Sequence, residues 1–527
     1  EPPPGARLLA NRWVFKTKTQ PDGTRRFKAR LVVKGFAQRK GLDFDEVFAP
    51  TSRYAALRAL LAIAVRRHLL LHQMDFKTAF LNGDLDEVLW MQQPQGFETS
   101  DSGSDGSGGG GEGASGGSGA DSGGAGRLSQ RPLACRLLKS VYGLKQAPRC
   151  WYRKLSEKLG ELGFTPATAD PALFVRQDEA GLVYVLVHVD DLLVAAGCPV
   201  QLAAVKSAIG ACFEVRDLGE ASTYLGMQIN RDPSTGEILL LQRRYIEELL
   251  QRHHMMDAKP RSLPLPPGTR VLAASEQQPA LTDGSEYRSL VGALNYLATC
   301  TRPDIAYALS LLARHMAAPT KVHFTLAVGV LRYLKHTAAM GLRFRAAAGG
   351  GGGGHGGGGG GGGGAGGGGG DGSFLGYCDA DWAGDPLTRR SQTALLFSLY
   401  GTAVTWCSQR QHTVAASSVE AEYQAAAAAT KEALWLRKLA ADLGLNGGAV
   451  TIRSDSQGAI SLARNPISSS PLSKHIDIQH HLVRERVARG EVAVEYCPTE
   501  EMVADALTKA LPEAKFAFCR AAMGVST

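Results

Sequence analysis

The chain has 527 residues, 44% of them hydrophobic and 20% charged, with a net charge of +8 at pH 7. That length allows roughly two to four domains, each with a core of its own. No apolar run is long enough to span a bilayer, and nine Cys scattered without a C-x-x-C pair argue against a disulfide framework or zinc ribbon and fit a reducing compartment.

The opening stretch EPPPGARLLANRWVF has neither an initiator Met nor a signal peptide and reads as part of a longer product. Residues 7–40 then hold eleven Lys and Arg against one acid, Asp22. Alone, such a stretch is more often a solvated hairpin than a surface for the phosphates of nucleic acid or nucleotide. RWVFKTKTQPDGTRRFKARLVVKGF predicts two strands around Pro-Asp-Gly. HLLLHQMDFKTAF predicts a strand that reaches Asp75 and turns. Residues 99–126 read as a flexible acidic Gly/Ser insert, with too little apolar surface to be expected to fold.

CWYRKLSEKLGELGF and YRSLVGALNYLATC have helical spacing. Between them, YVLVHVDDLLVAAG sets Asp190 and Asp191 between two apolar strands. Burying ionised carboxylates there costs several kcal/mol unless something pairs with them, so the pair is either a turn facing water or a metal site. Alone, HVDD is more often a plain Asp turn. With Asp75 at another strand end, three carboxylates can converge on hard divalent cations, Mg²⁺ taking its remaining ligands from water and substrate phosphates. The irregular mixture of strands, helices and hairpin predicts α+β for this first region.

Residues 349–370 are glycine at all but two positions and read as a linker. Beyond it, SFLGYCDADWAGD predicts a strand carrying Asp379 and Asp381, followed by a long Ala-rich helix from SSVEAEY. AVTIRSDSQGAISLA ends a strand at Asp455, and TEEMVADALTKAL places Asp505 on a last helix. Singly, these acids are more often caps or surface charge. Ser417–Glu420 fits a capping box in which Glu420 bonds back to the N-cap N–H, leaving Glu422 free to face a metal. His475, His480 and His481 have no Cys pair beside them and read as surface or core histidines rather than a zinc site.

Taken in order, KARLVVKGFAQRKGLDFDEVFAPTSR, QMDFKTAFLNGDLDEVLWMQQPQGF, LLKSVYGLKQAPRCWY, DPALFV, VDDLLVAA, YLGMQI and TRPDIAYALSLLARHM resemble the reverse transcriptase of copia-type LTR retrotransposons over nearly all of 7–345. YCDADWAGD, SSVEAEY, SDSQGAI, KHIDIQHHLVRE and ADALTKAL are similar to the copia-type RNase H domain over about 373–512. The resemblance implies an α+β right-hand polymerase, with fingers, ferredoxin-like palm and thumb, followed by an α/β RNase H-like domain. Its divisions are fingers and first part of the palm at 1–98, the insert at 99–126, palm at 127–235, and thumb and connection at 236–345. A Gly-rich linker at 346–372, RNase H at 373–515 and a C-terminal tail at 516–527 complete them.

The resemblance also assigns roles. Asp75, Asp190 and Asp191 match the polymerase's metal-binding acids, and Asp379, Glu422, Asp455 and Asp505 those of the nuclease. Lys28 and Arg30 match residues that contact the incoming triphosphate, and Phe80 the aromatic under its sugar. Leu225 and Gly226 match the hairpin that supports the primer end, and His188 stands near the primer terminus where the family has Tyr. Two Mg²⁺ ions per site are implied, with Mn²⁺ as an alternative. The implied partners are an RNA template, a DNA primer, the RNA–DNA hybrid and deoxynucleoside triphosphates, with no membrane. The Gag, protease and integrase parts of a polyprotein lie outside this chain. The implied location is cytoplasmic, in virus-like particles with access to the nucleus. The rival reading is a decayed copy that binds nucleic acid without catalysis; the seven acids argue against it and His188 for it.

Overall fold

A computed structural model describes residues 2–3, 6–19, 24–99, 133–346, 372–445, 447–464 and 477–527. The Gly/Ser insert beyond Thr99, the Gly-rich linker at 349–370, Asp22, His475 and the side chain of His480 lie outside the described residues. The chain divides into two compact units, one of Glu1–Pro50 and Lys77–Leu162, the other of Thr51–Phe76 and Gly163–Thr527. These divisions do not coincide with the composition breaks in the sequence.

In the first unit, strands Asn11–Thr19 and Arg25–Val33 form the antiparallel hairpin, with Lys16 opposite Lys28 and Val14 opposite Arg30. Because side chains alternate along a strand, Arg12, Lys16, Lys28 and Arg30 share one face, while Trp13, Phe15 and Phe27 share the other. A second sheet of Leu8–Leu9, Asp84–Gln92 and Ala134–Lys139 packs a small core around Leu9, Val33, Leu89 and Met91. Gly143, at φ +95°, lets its backbone meet the hairpin: a Cβ there would stand 2.1 Å from the Val33 carbonyl oxygen.

The second unit contains three sheets. The first, all antiparallel, runs Val215–Glu220, Leu70–Phe76, Asp191–Ala196, Gly181–His188, Leu173–Asp178, Thr165–Pro166. Helix Tyr54–Arg66, whose sequence YAALRALLAIAVR is apolar almost all round and therefore buried almost all round, packs against strands Thr402–Arg410 and Gly341–Phe344 of the other two sheets. The second sheet orders Thr223–Tyr224, Met227–Arg231, Ile238–Leu241, Gly341–Phe344 and Val525–Ser526. The third orders Thr402–Arg410, Gln392–Leu399, Leu375–Asp381, Val450–Ser454 and Val492–Tyr496, the first three antiparallel and the last three parallel. The 25-residue helix Ser418–Asp442 packs over it.

One continuous core joins these sheets, from Ala56 through Tyr184, Leu240 and Leu342 to Leu396 and Val525. Within it Arg58 is buried with no ion pair among the described residues. Its guanidinium donates to the carbonyl oxygens of Val404 at 2.7 Å and of Thr299 and Cys300 at 2.8 Å, and lies 4.0 Å from the Trp406 ring centre. Residues 516–527, read in the sequence as a tail, are the rest of helix Glu513–Ala522 and strand Val525–Ser526. They are held because Phe516, Cys519, Met523 and Val525 are apolar and buried. Among the described residues, no helix is long and apolar enough to cross a membrane.

Candidate carboxylate centres

Strand register builds the first centre. Asp75 stands directly opposite Asp191 across the antiparallel pair Leu70–Phe76 and Asp191–Ala196. His188 pairs with Asp191 across the neighbouring hairpin, leaving Val189 and Asp190 as a two-residue turn. Val189 takes φ +60°, a left-handed conformation that β-branched residues rarely enter. The Phe76 N–H donates to the Asp190 carbonyl oxygen at 2.9 Å, tying the turn to the strand that carries Asp75. All three acids are half-buried. Burial first, and then Asp190, push the Asp191 carboxyl above its usual range, opposed by a bond from the Gln73 amide at 3.3 Å.

His188 lies beside this turn, its Nδ1 3.3 Å from Ser52 Oγ. Leu225 and Gly226 are the two central residues of the hairpin between Thr223–Tyr224 and Met227–Arg231, both at positive φ. That conformation suits Gly226, where a Cβ would also come 2.6 Å from the Tyr296 hydroxyl. The same hydroxyl donates to the Leu225 carbonyl at 2.7 Å. In the other compact unit, Lys28 is exposed, Arg30 lies 5.7 Å from the Tyr142 ring centre, and Phe80 meets Tyr142 edge-on at 5.1 Å.

The second centre is tighter. Asp379 comes from strand Leu375–Asp381, Glu422 from the first turns of helix Ser418–Asp442, and Asp455 from the end of Val450–Ser454. Each offers a carboxylate oxygen within 4.8 Å of the others, the only such grouping of three among the described residues. Burial, Asp379 and Asp455 together push Glu422 up to about 9. Burial also pushes Asp379 up to about 6, against the pull of Lys509. Glu422 Oε2 is buried with no hydrogen-bond partner among the described residues. An all-oxygen set with an unsatisfied buried oxygen and crowded negative charge fits a hard divalent cation.

Asp505 lies outside that trio. It sits on a short 3₁₀ turn, Val503–Leu507, rather than on the last helix as expected, because the chain breaks again before Pro512 and the final helix starts at Glu513. It pairs with Lys509 at 2.7 Å and Lys515 at 3.5 Å. Lys509 also lies 3.9 Å from Asp379, so one ammonium spans both acids. Thr508 donates to Asp379, and Thr499 donates to Asp455 at 3.0 Å. Sequence reasoning passed over Lys509 and Thr508, although the i, i+4 interval from Asp505 to Lys509 was there to be read.

The N-terminus of the long helix separates Glu420 from Glu422. Ser417 Oγ accepts the Glu420 N–H at 3.1 Å, as expected. The Glu420 carboxylate, however, takes the N–H of Ala416 at 2.8 Å rather than that of the N-cap residue, Ser417. The expected capping box is thus shifted by one donor, because the carboxylate reaches past the cap to the preceding amide.

A family profile described as reverse transcriptase (RNA-dependent DNA polymerase) matches residues 1–105 and 124–267. The whole chain aligns at 36% identity with a retrovirus-related Pol polyprotein from transposon TNT 1-94 of Nicotiana tabacum, covering 36% of it. It aligns at 35% over all its length with the corresponding polyprotein of transposon RE1 of Arabidopsis thaliana, covering 32%. The chain thus spans about a third of the length of these curated relatives. A solved RNase H1 bound to an RNA/DNA hybrid, LC11-RNase H1, matches 26% of the chain and 94% of its own at 16% identity and a TM-score of 0.21, too low to bear on the fold. With the ordered motifs, the opposed carboxylates of Asp75 and Asp191 and these relatives in hand, the chain belongs to the reverse transcriptase family of copia-type transposon Pol polyproteins.

Proposed function

We propose that this chain is an RNA-directed DNA polymerase that also cuts the RNA of the hybrid it makes. One observation carries the reading furthest: Asp379, Glu422 and Asp455 close to within 4.8 Å of one another, and Glu422 Oε2 has no hydrogen-bond partner among the described residues. The polymerase half is supported by family membership and by the register that sets Asp75 against Asp191.

Asp75, Asp190 and Asp191 would hold Mg²⁺ or Mn²⁺ in the polymerase, and Asp379, Glu422, Asp455 and Asp505 in the nuclease. When bound, such ions neutralise the crowded carboxylates and acidify the attacking primer hydroxyl or water. Gln73 steadies Asp191, and Thr508 and Thr499 steady Asp379 and Asp455. Lys28 and Arg30 bind the triphosphate of the incoming deoxynucleotide, and Phe80 packs against its sugar and rejects a 2′-hydroxyl. Leu225, Gly226 and His188 position the primer end. The substrates are then an RNA template, a DNA primer, deoxynucleoside triphosphates and the RNA–DNA hybrid, told from DNA by its 2′-hydroxyls. The subdomain names of fingers, palm, thumb, connection and RNase H belong to the same proposal. So do a place in cytoplasmic virus-like particles with nuclear access and an association with Gag, protease and integrase.

Primer extension on a labelled RNA template with Mg²⁺ tests both halves in one tube. The expected result is full-length DNA together with shortened RNA, and the absence of both refutes the proposal. His188 favours a second reading, in which the chain is a decayed copy that binds hybrid without chemistry. Binding without extension or cleavage would establish it.

A further inference from the structure

His188 is held from a distant part of the chain. Across the antiparallel strands Asp75 stands opposite Asp191 and Asp191 opposite His188, so the three side chains lie in one row on one face of the first sheet. The imidazole therefore sits beside the carboxylates, at the end of the strand that leads into the Val189–Asp190 turn. The last torsion of a histidine side chain is broad and roughly two-fold, so a strand alone does not fix the plane of that ring.

Its Nδ1 meets Ser52 Oγ at 3.3 Å, across 136 residues of sequence. Ser52 is buried and stands two residues before helix Tyr54–Arg66, where a hydroxyl commonly caps. Here Arg53 takes the N-cap position without a side-chain bond, and the Ser52 hydroxyl is turned to His188 instead. One loop clamps both partners. Buried Asp170 accepts the Arg53 N–H at 2.8 Å and the Ala172 N–H at 3.1 Å, and the Ala172 carbonyl accepts the Val187 N–H at 2.8 Å. The backbone next to Ser52 and the backbone next to His188 are thus bonded to the same short segment, 170–172. That segment is anchored in turn on helix Ser418–Asp442: the Ala169 N–H donates to Asp442 at 2.8 Å, and Trp435 Nε1 donates to the Ala169 carbonyl at 2.8 Å. Two side chains whose flanking amides are pinned in this way hold their separation, so the contact is built by the fold and not by a loose surface serine.

We infer that Ser52 is a positioning residue of the polymerase, which through Nδ1 fixes the plane in which the His188 ring meets the primer end. The inference rests on the reading of His188 as a primer-positioning residue and adds the group that orients it. A bond at one ring nitrogen also aims the other nitrogen in one direction, whichever of the two carries the proton. A ring free to swing would let the primer hydroxyl drift from its attacking position, which lowers the rate of the bond-forming step.

The test is single-turnover addition of one deoxynucleotide to a DNA primer on an RNA template, with the full chain. The rate constant reports the positioning of the primer end, and the amplitude reports the fraction of chains that are folded and loaded. Ser52→Ala should lower the rate constant by about tenfold and leave the amplitude unchanged. Ser52→Thr, which keeps the hydroxyl, should recover part of that loss. His188→Phe keeps a flat ring without Nδ1 and should be at least as slow, and adding Ser52→Ala to it should cost nothing more. Equal rates for Ser52→Ala and the wild type overturn the inference. So does a loss of amplitude alone, or a loss that Ser52→Ala imposes equally on the wild type and on His188→Phe. A His188→Phe variant as fast as the wild type removes the primer-positioning role of His188, and this inference with it, while the polymerase reading stands. A wild type that adds no nucleotide removes both.

Discussion

The two carboxylate centres use the same side chains under different physical conditions. At Asp379, Glu422 and Asp455 a strand, a helix and a second strand converge, and three oxygens are forced within 4.8 Å of each other. Asp75, Asp190 and Asp191 sit around a hairpin tip, half-buried, with Asp75 and Asp191 opposed by register but without closure of all three to that distance. Like charges at a wet strand end are screened and stay apart, whereas packing from three sides holds them together against their repulsion. The hairpin-tip set is therefore left open, and the buried set is closed by the fold itself.

The largest expected effects break the comparison into its halves. Asp191→Asn should abolish primer extension and leave cleavage of a preformed hybrid, while Glu422→Gln should do the reverse, each by on the order of a thousandfold. Separate extension and cleavage assays decide this, and loss of both activities in either folded variant would sink the idea of two independent centres.

Arg58 offers the opposite test, because it binds helix Tyr54–Arg66 to strand Thr402–Arg410 of the third sheet. Arg58→Ala strands the buried carbonyls of Val404 and Cys300 and leaves a void beside Trp406, so about 3 kcal/mol of stability should be lost. Denaturant unfolding should show it. A shift confined to one of two separate transitions would mean that the shared core does not act as one cooperative body.

The third outcome concerns pH without metal. Glu422 has an ordinary value of 4.5 and is raised to about 9 in the folded chain. The folded state therefore holds a proton more tightly than the unfolded state. That stability is complete below pH 4.5 and is lost as pH rises towards 9. In chelator, Glu422→Gln should remove this slope and be more stable than the wild type at pH 8, by on the order of 1–3 kcal/mol. Saturating Mg²⁺ should narrow the gap. Identical melting curves across pH for the two proteins would contradict an electrostatically crowded centre. Asp191, raised by burial at its wetter site, should give a weaker slope of the same sign.

The smallest expected effect separates neighbours on one helix. Glu420→Gln weakens the bond to the Ala416 N–H and should cost up to about 1 kcal/mol in thermal stability, with hybrid cleavage kept. Loss of cleavage here would move the metal ligand two residues upstream.

Much of this was legible in the sequence, because local rules govern it. Alternation in RWVFKTKT and TRRFKARLVV gave the hairpin, and two apolar runs around Asp190 and Asp191 gave the turn and its strands. The Ser417 cap, and with it the side of the helix that Glu422 occupies, follows from spacing alone. Tertiary structure decided the rest. No local pattern distinguishes the closure of Asp379, Glu422 and Asp455 from the looser set at Asp75, since both are single acids at element ends until packing fixes their distances. Nor does sequence show that Arg58 is buried on carbonyls, that Lys509 spans two acids, or that Val525 completes a sheet with Leu342. Each of these depends on residues distant along the chain being brought within a few ångströms. Periodicity says which face of an element is apolar, and only the packed core says what that face meets.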